Sequence, residues 1–419
     1  MVGNVFRAII YIVCSIFLLG CSYKQLSTYQ DVAGNYNAGQ PVATPQFQVL
    51  HINDGMSRLF YRVAAQRNYR LQYKIMKTYE STAILDSGTI ALLSPFGSFD
   101  FQTPNPWNYV VKIKLDDIQL GTSSYHFIEV IKSKMEGGTA FNVANCQNFN
   151  LFGADGNTMT FKNYFNTHDT IVISYKRTPV HRLLVNHFGQ RFPIATYPFD
   201  ISEMKPLGFK PDSSFMVALD DSGKVNFCSR KPGLYCFFAD SMQKEGCAVF
   251  LYESAYPTVT QVQQMEEPLQ YITSKEEYTA LQLNKNKRQA IEQFWINCGG
   301  NKDRAKHLIQ KYYSRVKEAN VLFHSYIEGW KTDRGMIYIV FGPPNYVYKS
   351  SESETWVYGD NANPNAINFN NLNNVSFSFN HIINPFTNND YYLERSVLYK
   401  ANWENALDSW RQGKIYLQN

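Results

Sequence analysis

His324, Glu328, Asp333, Arg334 and Glu354 are the side chains whose types and spacing could do chemistry. An imidazole and a carboxylate four positions apart share one face of a helix, and a guanidinium with two further carboxylates would complete the acid–base or metal-binding set of a hydrolase. Against that, a single His-x-x-x-Glu recurs by chance on solvated helices. The chain has no zincin helix, nucleophile elbow, phosphate loop or closely paired cysteines. It calls for no metal and no cofactor. A non-catalytic role is the better reading, with a hydrolase near these residues as the alternative.

The other chemically distinctive residue is Cys21. The opening "MVGNVFRAIIYIVCSIFLLGCS" places Arg7 ahead of an apolar run from Ala8 to Leu19, the layout of a secretory signal and too short to span a bilayer. Its ending, Leu18-Leu19-Gly20-Cys21, resembles the lipobox of bacterial lipoproteins. That resemblance implies removal of residues 1–20, a diacylglyceryl group on the Cys21 thiol and a membrane as first partner, since two or more acyl chains anchor stably where one does not. No Asp follows the cysteine in "CSYKQ", which by the same resemblance points to the outer membrane, facing the periplasm. Residues 21–46 lack apolar periodicity, are rich in Gln, Asn, Gly, Ser and Thr, and read as a tether spanning roughly 25 to 30 Å.

The elements behind these residues follow from composition and period. A chain of 419 residues has room for several cores, and aromatics at 15% with charged residues at only 18% favour strands. The 40 basic and 35 acidic residues are scattered, without the basic stripe that a phosphate backbone needs, which excludes nucleic acid. Short alternating runs such as "RLFYRV", "YRLQYKIM" and "NYVVKIKL" predict a β-sandwich-like domain over 47–135. A second set, including "TIVISYKR", "SFMVALD" and "LYCFFAD", predicts another over 136–269, the division resting on the "EGGT" break. Five cysteines remain after Cys14 and Cys21, an odd count. In "NFCSRKPGLYCFF", a three-residue hairpin loop would put Cys228 opposite Cys236, a candidate disulfide; buried thiols are the alternative.

After Pro268 the pattern turns helical. Ser274 and Glu277 are spaced as a capping box, and "NCGG" should close a helix carrying Ile291, Phe294 and Trp295 on one face. A longer helix over "KDRAKHLIQKYYSRVKEANVLFHSYIE" would bury Leu308, Tyr312, Val316, Ala319, Phe323 and Tyr326. At its end stands "EGWKTDRGMIYIVFGPP". There Gly329 suits a left-handed cap, Trp330 can fold back on the apolar stripe, Asp333 can close a turn through its own backbone, and "MIYIVFG" reads as a buried strand stopped by Pro343-Pro344.

These residues carry a second resemblance. Gly329-Trp330-Lys331-Thr332-Asp333, followed by Arg334-Gly335, an apolar run and Gly-Pro-Pro, resembles the signature of the GWxTD domain family. The likeness extends over about 270–419, including "FW", "YYSRVKEANVLF" and Glu354-x-Trp356-x-Tyr358. It implies an exported bacterial protein with β-rich domains ahead of the module, and it implies no reaction. Asn345 and "INCGGNKD" depart from the family's usual acidic residue and "RD…P". Residues 361–374 read as an Asn-rich loop, "VSFSF" and "YYLERSVL" as strands of a small sheet, and the last helix as docked through Trp403, Leu407 and Trp410. The whole is therefore a multidomain α+β chain: two β-sandwich-like domains, then a smaller helical and β-meander module. The expected role is an envelope binding or scaffolding component for a protein or polymer partner, with Gly329, Trp330, Thr332, Asp333 and Arg334 as the motif to test. A structural Asp333 should lose only about 1 kcal/mol on Asp333→Asn.

Overall fold

A computed structural model of the chain describes residues 45–416, apart from 54, 104–107, 131–148, 176–179, 190–191, 203–209, 240–245, 254, 360–373, 383 and 385. The signal segment, Cys21, nearly all of the tether, the "EGGT" break, Cys146 and most of the Asn-rich stretch lie outside the described residues.

The first unit contains β1 (Gln46–Asn53), β2 (Met56–Arg62), β3 (Tyr69–Met76), β4 (Ile84–Leu92), β5 (Phe96–Gln102), β6 (Tyr109–Asp117) and β7 (Thr122–Val130). They form two antiparallel sheets, β1-β2-β5 and β4-β3-β6-β7. Alternation places Leu59 and Tyr61 of β2 and Leu71 and Ile75 of β3 in one core between the sheets, as a half-buried strand requires.

The second unit contains β8 (Phe149–Phe152), β9 (Tyr164–Asn166), β10 (Ile171–Tyr175), β11 (Arg182–Phe188), β12 (Ser213–Ala218), β13 (Lys224–Phe227), β14 (Gly233–Phe238) and β15 (Gly246–Tyr252). The sheets are β13-β10-β8 and β12-β11-β14-β15-β9, with β9 parallel to β15. Strands β14 and β15 are apolar almost throughout because both faces are covered. Tyr235, Phe237 and Val249 face the sandwich core, while Leu234, Cys236, Phe238 and Phe250 face Phe386 and Tyr326 of the carboxy-terminal region.

The expected hairpin at Lys231–Gly233 is a correction. The chain leaves β13 in one sheet and enters β14 in the other, and the Tyr235 hydroxyl donates back to Lys231 O at 3.0 Å to pin this crossover. Cys228 is exposed and Cys236 is buried in β14, and no disulfide joins them.

Strands give way to helices at α1 (Val262–Glu266) and a 3₁₀ turn, Glu267–Tyr271. There follow α2 (Lys275–Leu283), α3 (Lys287–Gly299), α4 (Lys302–Leu322), a 3₁₀ turn at Gly329–Lys331, α5 (Asp333–Phe341) and, last, α6 (Tyr399–Arg411). Between α5 and α6 lies the antiparallel meander of β16 (Tyr346–Lys349), β17 (Ser353–Tyr358), β18 (Val375–His381) and β19 (Tyr391–Leu393). Ser274 and Glu277 make the expected capping box, and Gly300 closes α3 in the left-handed region at φ 74°. Trp295, Tyr312, Trp356, Trp403 and Trp410 belong to one large core, which also includes every apolar residue of α5.

The first unit docks on this module at β16 and β17. Glu80 accepts from Ser351 N at 3.1 Å and from its hydroxyl, Asn388 Nδ2 donates to Glu129 O at 3.3 Å, and Lys349 Nζ lies 5.8 Å above the Tyr79 ring. Burial pushes the Glu129 carboxyl up to about 7, against the pull of Lys349 and a Tyr79 hydrogen bond and with Glu80 and Glu354 adding to the rise. The folded chain thus binds a proton that the unfolded chain has already lost between its ordinary 4.5 and about 7. This contribution favours folding at low pH and is lost as pH rises through that window. Glu129→Gln should therefore gain about 1 to 3 kcal/mol over wild type at pH 8 and almost nothing at pH 4.5; a difference independent of pH in parallel urea melts would refute the assignment.

Candidate functional site

The signature begins where α4 stops. Phe323 N bonds Ala319 O, and α4 ends at Leu322 and does not run on to residue 328. The 3₁₀ turn Gly329–Lys331 then lies against the α4 backbone: a Cβ on Gly329 would sit 1.9 Å from Ala319 O. Close approach, and not the expected left-handed cap, is the reason for this glycine. Asn320, buried on α4, accepts from Trp330 N at 3.1 Å and donates to Pro257 O at 3.0 Å, so it ties the turn to the segment after β15. Trp330 is buried as expected, and Tyr271 Oη donates to its carbonyl at 3.1 Å.

Residues 333–341 form a helix, α5, where the sequence reading expected a strand. Every residue of α5 is buried, so its apolar run carries no period by which to choose between the two. Its ends decide. Thr332 is the N-cap, its hydroxyl accepting from Gly335 N at 3.0 Å while donating to Gly329 O at 2.8 Å. Gly342, at φ 89°, stops it. At the far end Arg315, almost wholly buried, donates through Nη1 to the carbonyls of Ile339 and Val340 at 3.1 and 3.2 Å, with its guanidinium 5.1 Å from the Trp410 ring centre. A cation at the last carbonyls and Asp333 in the first turn both oppose the helix dipole correctly.

Asp333 does not close a turn through its own backbone. Its carboxylate accepts from Arg395 in a two-pronged pair, at 2.6 and 3.1 Å, and from Leu393 N at 2.9 Å, joining α5 to the end of β19. Arg395 reaches onward to Thr196 Oγ1 at 3.2 Å, in a strap from the second unit that also bonds Lys331 O through Ala195 N at 2.9 Å. Burial pushes the Asp333 carboxyl up and Arg395 draws it back only in part. Arg334 turns the other way. Its Nη1 lies 3.4 Å from Glu354 Oε2, its Nη2 donates to Asn389 O at 3.0 Å, and its guanidinium stacks 3.9 Å from the Tyr391 ring centre. Glu354 also accepts from the Trp356 indole and lies 3.7 Å from Lys349 Nζ.

The acid–base set drawn from the sequence is therefore dispersed. Asp333 pairs with Arg395, and Glu354 pairs with Arg334. Glu328 is held by Lys331 Nζ at 3.0 Å. His324 lies in a box of Tyr164, Phe250, Tyr252 and Tyr256, its Nδ1 3.1 Å from the Tyr252 hydroxyl, and burial pushes it down to about 3. A neutral, enclosed imidazole is core packing. Among the described residues no three His, Cys, Asp or Glu side chains converge as metal ligands.

What the signature does leave open is its outer side. A cavity of about 560 Å³ lies between the Glu328–Lys331 turn, the end of β15 and the loop that leads into α1. The ends of β11, β14 and β15 close its back, since Phe188 is opposite Leu234 and Gly233 opposite Leu251. Tyr252 and Tyr256, with ring centres 4.1 Å apart, and Phe192 against Tyr326 at 4.9 Å form aromatic walls. Glu253, Gln261, Gln263 and Glu267 line it as exposed residues and Glu328 and Lys331 as half-buried ones, so the lining holds three carboxylates and one ammonium. The sequence reading missed Glu253 and the glutamines, for they carry no motif; only their place between a strand end and a helix start gathers them.

In comparisons with known proteins, the sequence model of the GWxTD domain matches residues 233–412. The match begins at the first residue of β14, and so takes in the two strands whose outer face the helical module covers as well as the region from residue 270 that the motif implied. No curated protein matches the chain.

Proposed function

We propose, from the premise that residues 233–412 are a GWxTD domain, that this chain is a lipid-anchored envelope component that works by binding, not by catalysis. The cleft beside the signature carries that reading. It has the size and the mixed aromatic and polar lining of a ligand site, it is shared between the second unit and the GWxTD module, and its carboxylates outnumber its ammonium. Aromatic walls with a carboxylate rim suit an extended segment of an envelope protein or polymer that bears amine or guanidinium groups. The dispersal of Glu328, Asp333, Arg334 and Glu354 into separate ion pairs, and of His324 into an aromatic box, weighs against the hydrolase alternative. Cys21, as the lipidated residue, would hold the site near the outer membrane on its periplasmic side, the remaining part of the same proposal.

The test places two cations at the rim, Glu253→Arg with Gln263→Arg, both exposed. Thermal stability should stay within about 0.5 kcal/mol of wild type, while partner capture from gently solubilised envelopes and rescue of a deletion strain should fall about tenfold or more. Unchanged capture and rescue would overturn the cleft as the binding site. In the same strains Cys21→Ser should move the protein out of the detergent-dependent membrane fraction.

A further inference from the structure

The first unit has two different ends. At one, Met76 is opposite Val110 and Val110 opposite Glu129, and there Tyr79, Glu80 and Glu129 meet the carboxy-terminal module. At the other, Tyr69 is opposite both Leu92 and Asp117, while Gln46, Arg62 and Phe96 lie side by side across β1, β2 and β5. The described chain therefore enters the unit at this second end, through Pro45.

That end presents apolar side chains to solvent. Leu93 is 96% exposed, Ile118 58% and Leu120 54%, whereas Phe96 packs edge-on against Phe161 of the second unit, beside Arg62, whose Nη2 donates to Met159 O at 2.9 Å. Single exposed apolar residues are ordinary on a soluble surface, but these come from loops tied together at one end: Val63 N bonds Pro95 O at 2.8 Å and Ile118 N bonds Asn68 O at 3.0 Å. The Asp117 carboxylate turns inward, accepting from Gln119 N and Leu120 N at 3.0 Å each and from Arg67 Nη1 at 3.0 Å. The polar groups of the β6–β7 turn are thus satisfied inside it, and Ile118 and Leu120 project outward.

We propose that this end is a membrane-resting surface, in which Leu93, Ile118 and Leu120 enter the interface of a phospholipid bilayer beside the acyl anchor. The inference rests on the reading of Cys21 as the lipidated residue. From Cys21 to Pro45 only 23 residues intervene by numbering; read as a tether they reach roughly 25 to 30 Å, and Pro45 joins the unit at the apolar end. A bilayer is the one surface which that connection guarantees to be near. Apolar loop tips in the interface add to the anchoring of the acyl chains.

The experiment uses the full-length protein reconstituted in phosphatidylethanolamine–phosphatidylglycerol vesicles, with or without bromine on the acyl chains. Leu120→Trp should add an emission component that shifts to the blue and loses at least half its intensity in brominated vesicles; Ala83→Trp, exposed near the opposite end of the unit, should add one that does neither. Intact mass reports whether Cys21 carries lipid. Lipid on Cys21 with no quenching of Leu120→Trp overturns the resting surface and leaves the anchor standing. Protection of Leu120→Trp equally in plain detergent, accompanied by a doubled mass in solution, assigns the patch to self-association and also overturns it. Absence of lipid on Cys21 overturns the anchor and this proposal with it.

Discussion

Gly329→Ala should leave the GWxTD module unable to fold. The added methyl would lie 1.9 Å from Ala319 O, 2.7 Å from Ala319 C and 2.8 Å from Asn320 Cα. All three are backbone atoms of α4, so no rotamer change relieves the clash. Gly335 is in the same position one layer further on, with its Cβ site 1.9 Å from Gly329 O. The 3₁₀ turn is thus pressed backbone to backbone between α4 and α5, and a single methyl must pry apart elements that bury Trp330, Phe323 and Tyr338. Overpacking on mobile side chains costs about 1 to 3 kcal/mol; against fixed backbone we expect more than about 4 kcal/mol, a large part of the roughly 5 to 15 kcal/mol a domain has. Gly300→Ala supplies the contrast. It has nothing within 4 Å of its Cβ site and only its φ of 74° to strain, so about 1 kcal/mol is expected. Urea melts of both variants read this directly, and a Gly329→Ala melt within 1 kcal/mol of wild type would contradict the packing.

The contrast between these glycines shows what was legible in the sequence. Gly300 follows a helical period and precedes an Asn cap, so local chemistry announces it. The importance of Gly329 was announced by its motif, but its reason lies in a contact with Ala319, ten positions away, that no local rule supplies. Helix α5 departs from its sequence expectation for a related cause. Its apolar run is buried on all sides, and the two features that make it a helix, the Thr332 cap and the Arg315 side chain on its last carbonyls, are respectively a single residue and a partner from another helix. Alternating strands such as β2 and β3 were legible because one face is core and the other is less buried. The Cys228–Cys236 register was not, since a crossover between two sheets and a hairpin within one have the same length and the same Pro-Gly.

Asp333→Asn should cost about 3 to 5 kcal/mol, several times what a turn-closing aspartate would lose. The asparagine keeps the shape but leaves the Arg395 guanidinium, with its side chain 7% exposed, without its counter-charge, and removing one partner of a buried pair is far more costly than the pair is worth. Taking both charges of such a pair out of water offsets most of their mutual attraction, so the intact pair gives little net stability. Asp333→Asn combined with Arg395→Met should therefore recover most of the loss, because no orphaned charge remains and the methionine fills the space under Tyr392. Additive losses in that double-mutant cycle would show that the pair is not coupled as drawn. The same variants separate motif from site. If the signature is a folding device, Asp333→Asn should lose partner capture only in step with its loss of stability, and the double variant should regain both together, whereas the rim substitutions at Glu253 and Gln263 should lose capture with stability intact. Capture that stays absent in a restabilised Asp333→Asn/Arg395→Met protein would mean that the buried pair itself is read by the partner, and the signature would then have to be counted as part of the binding surface.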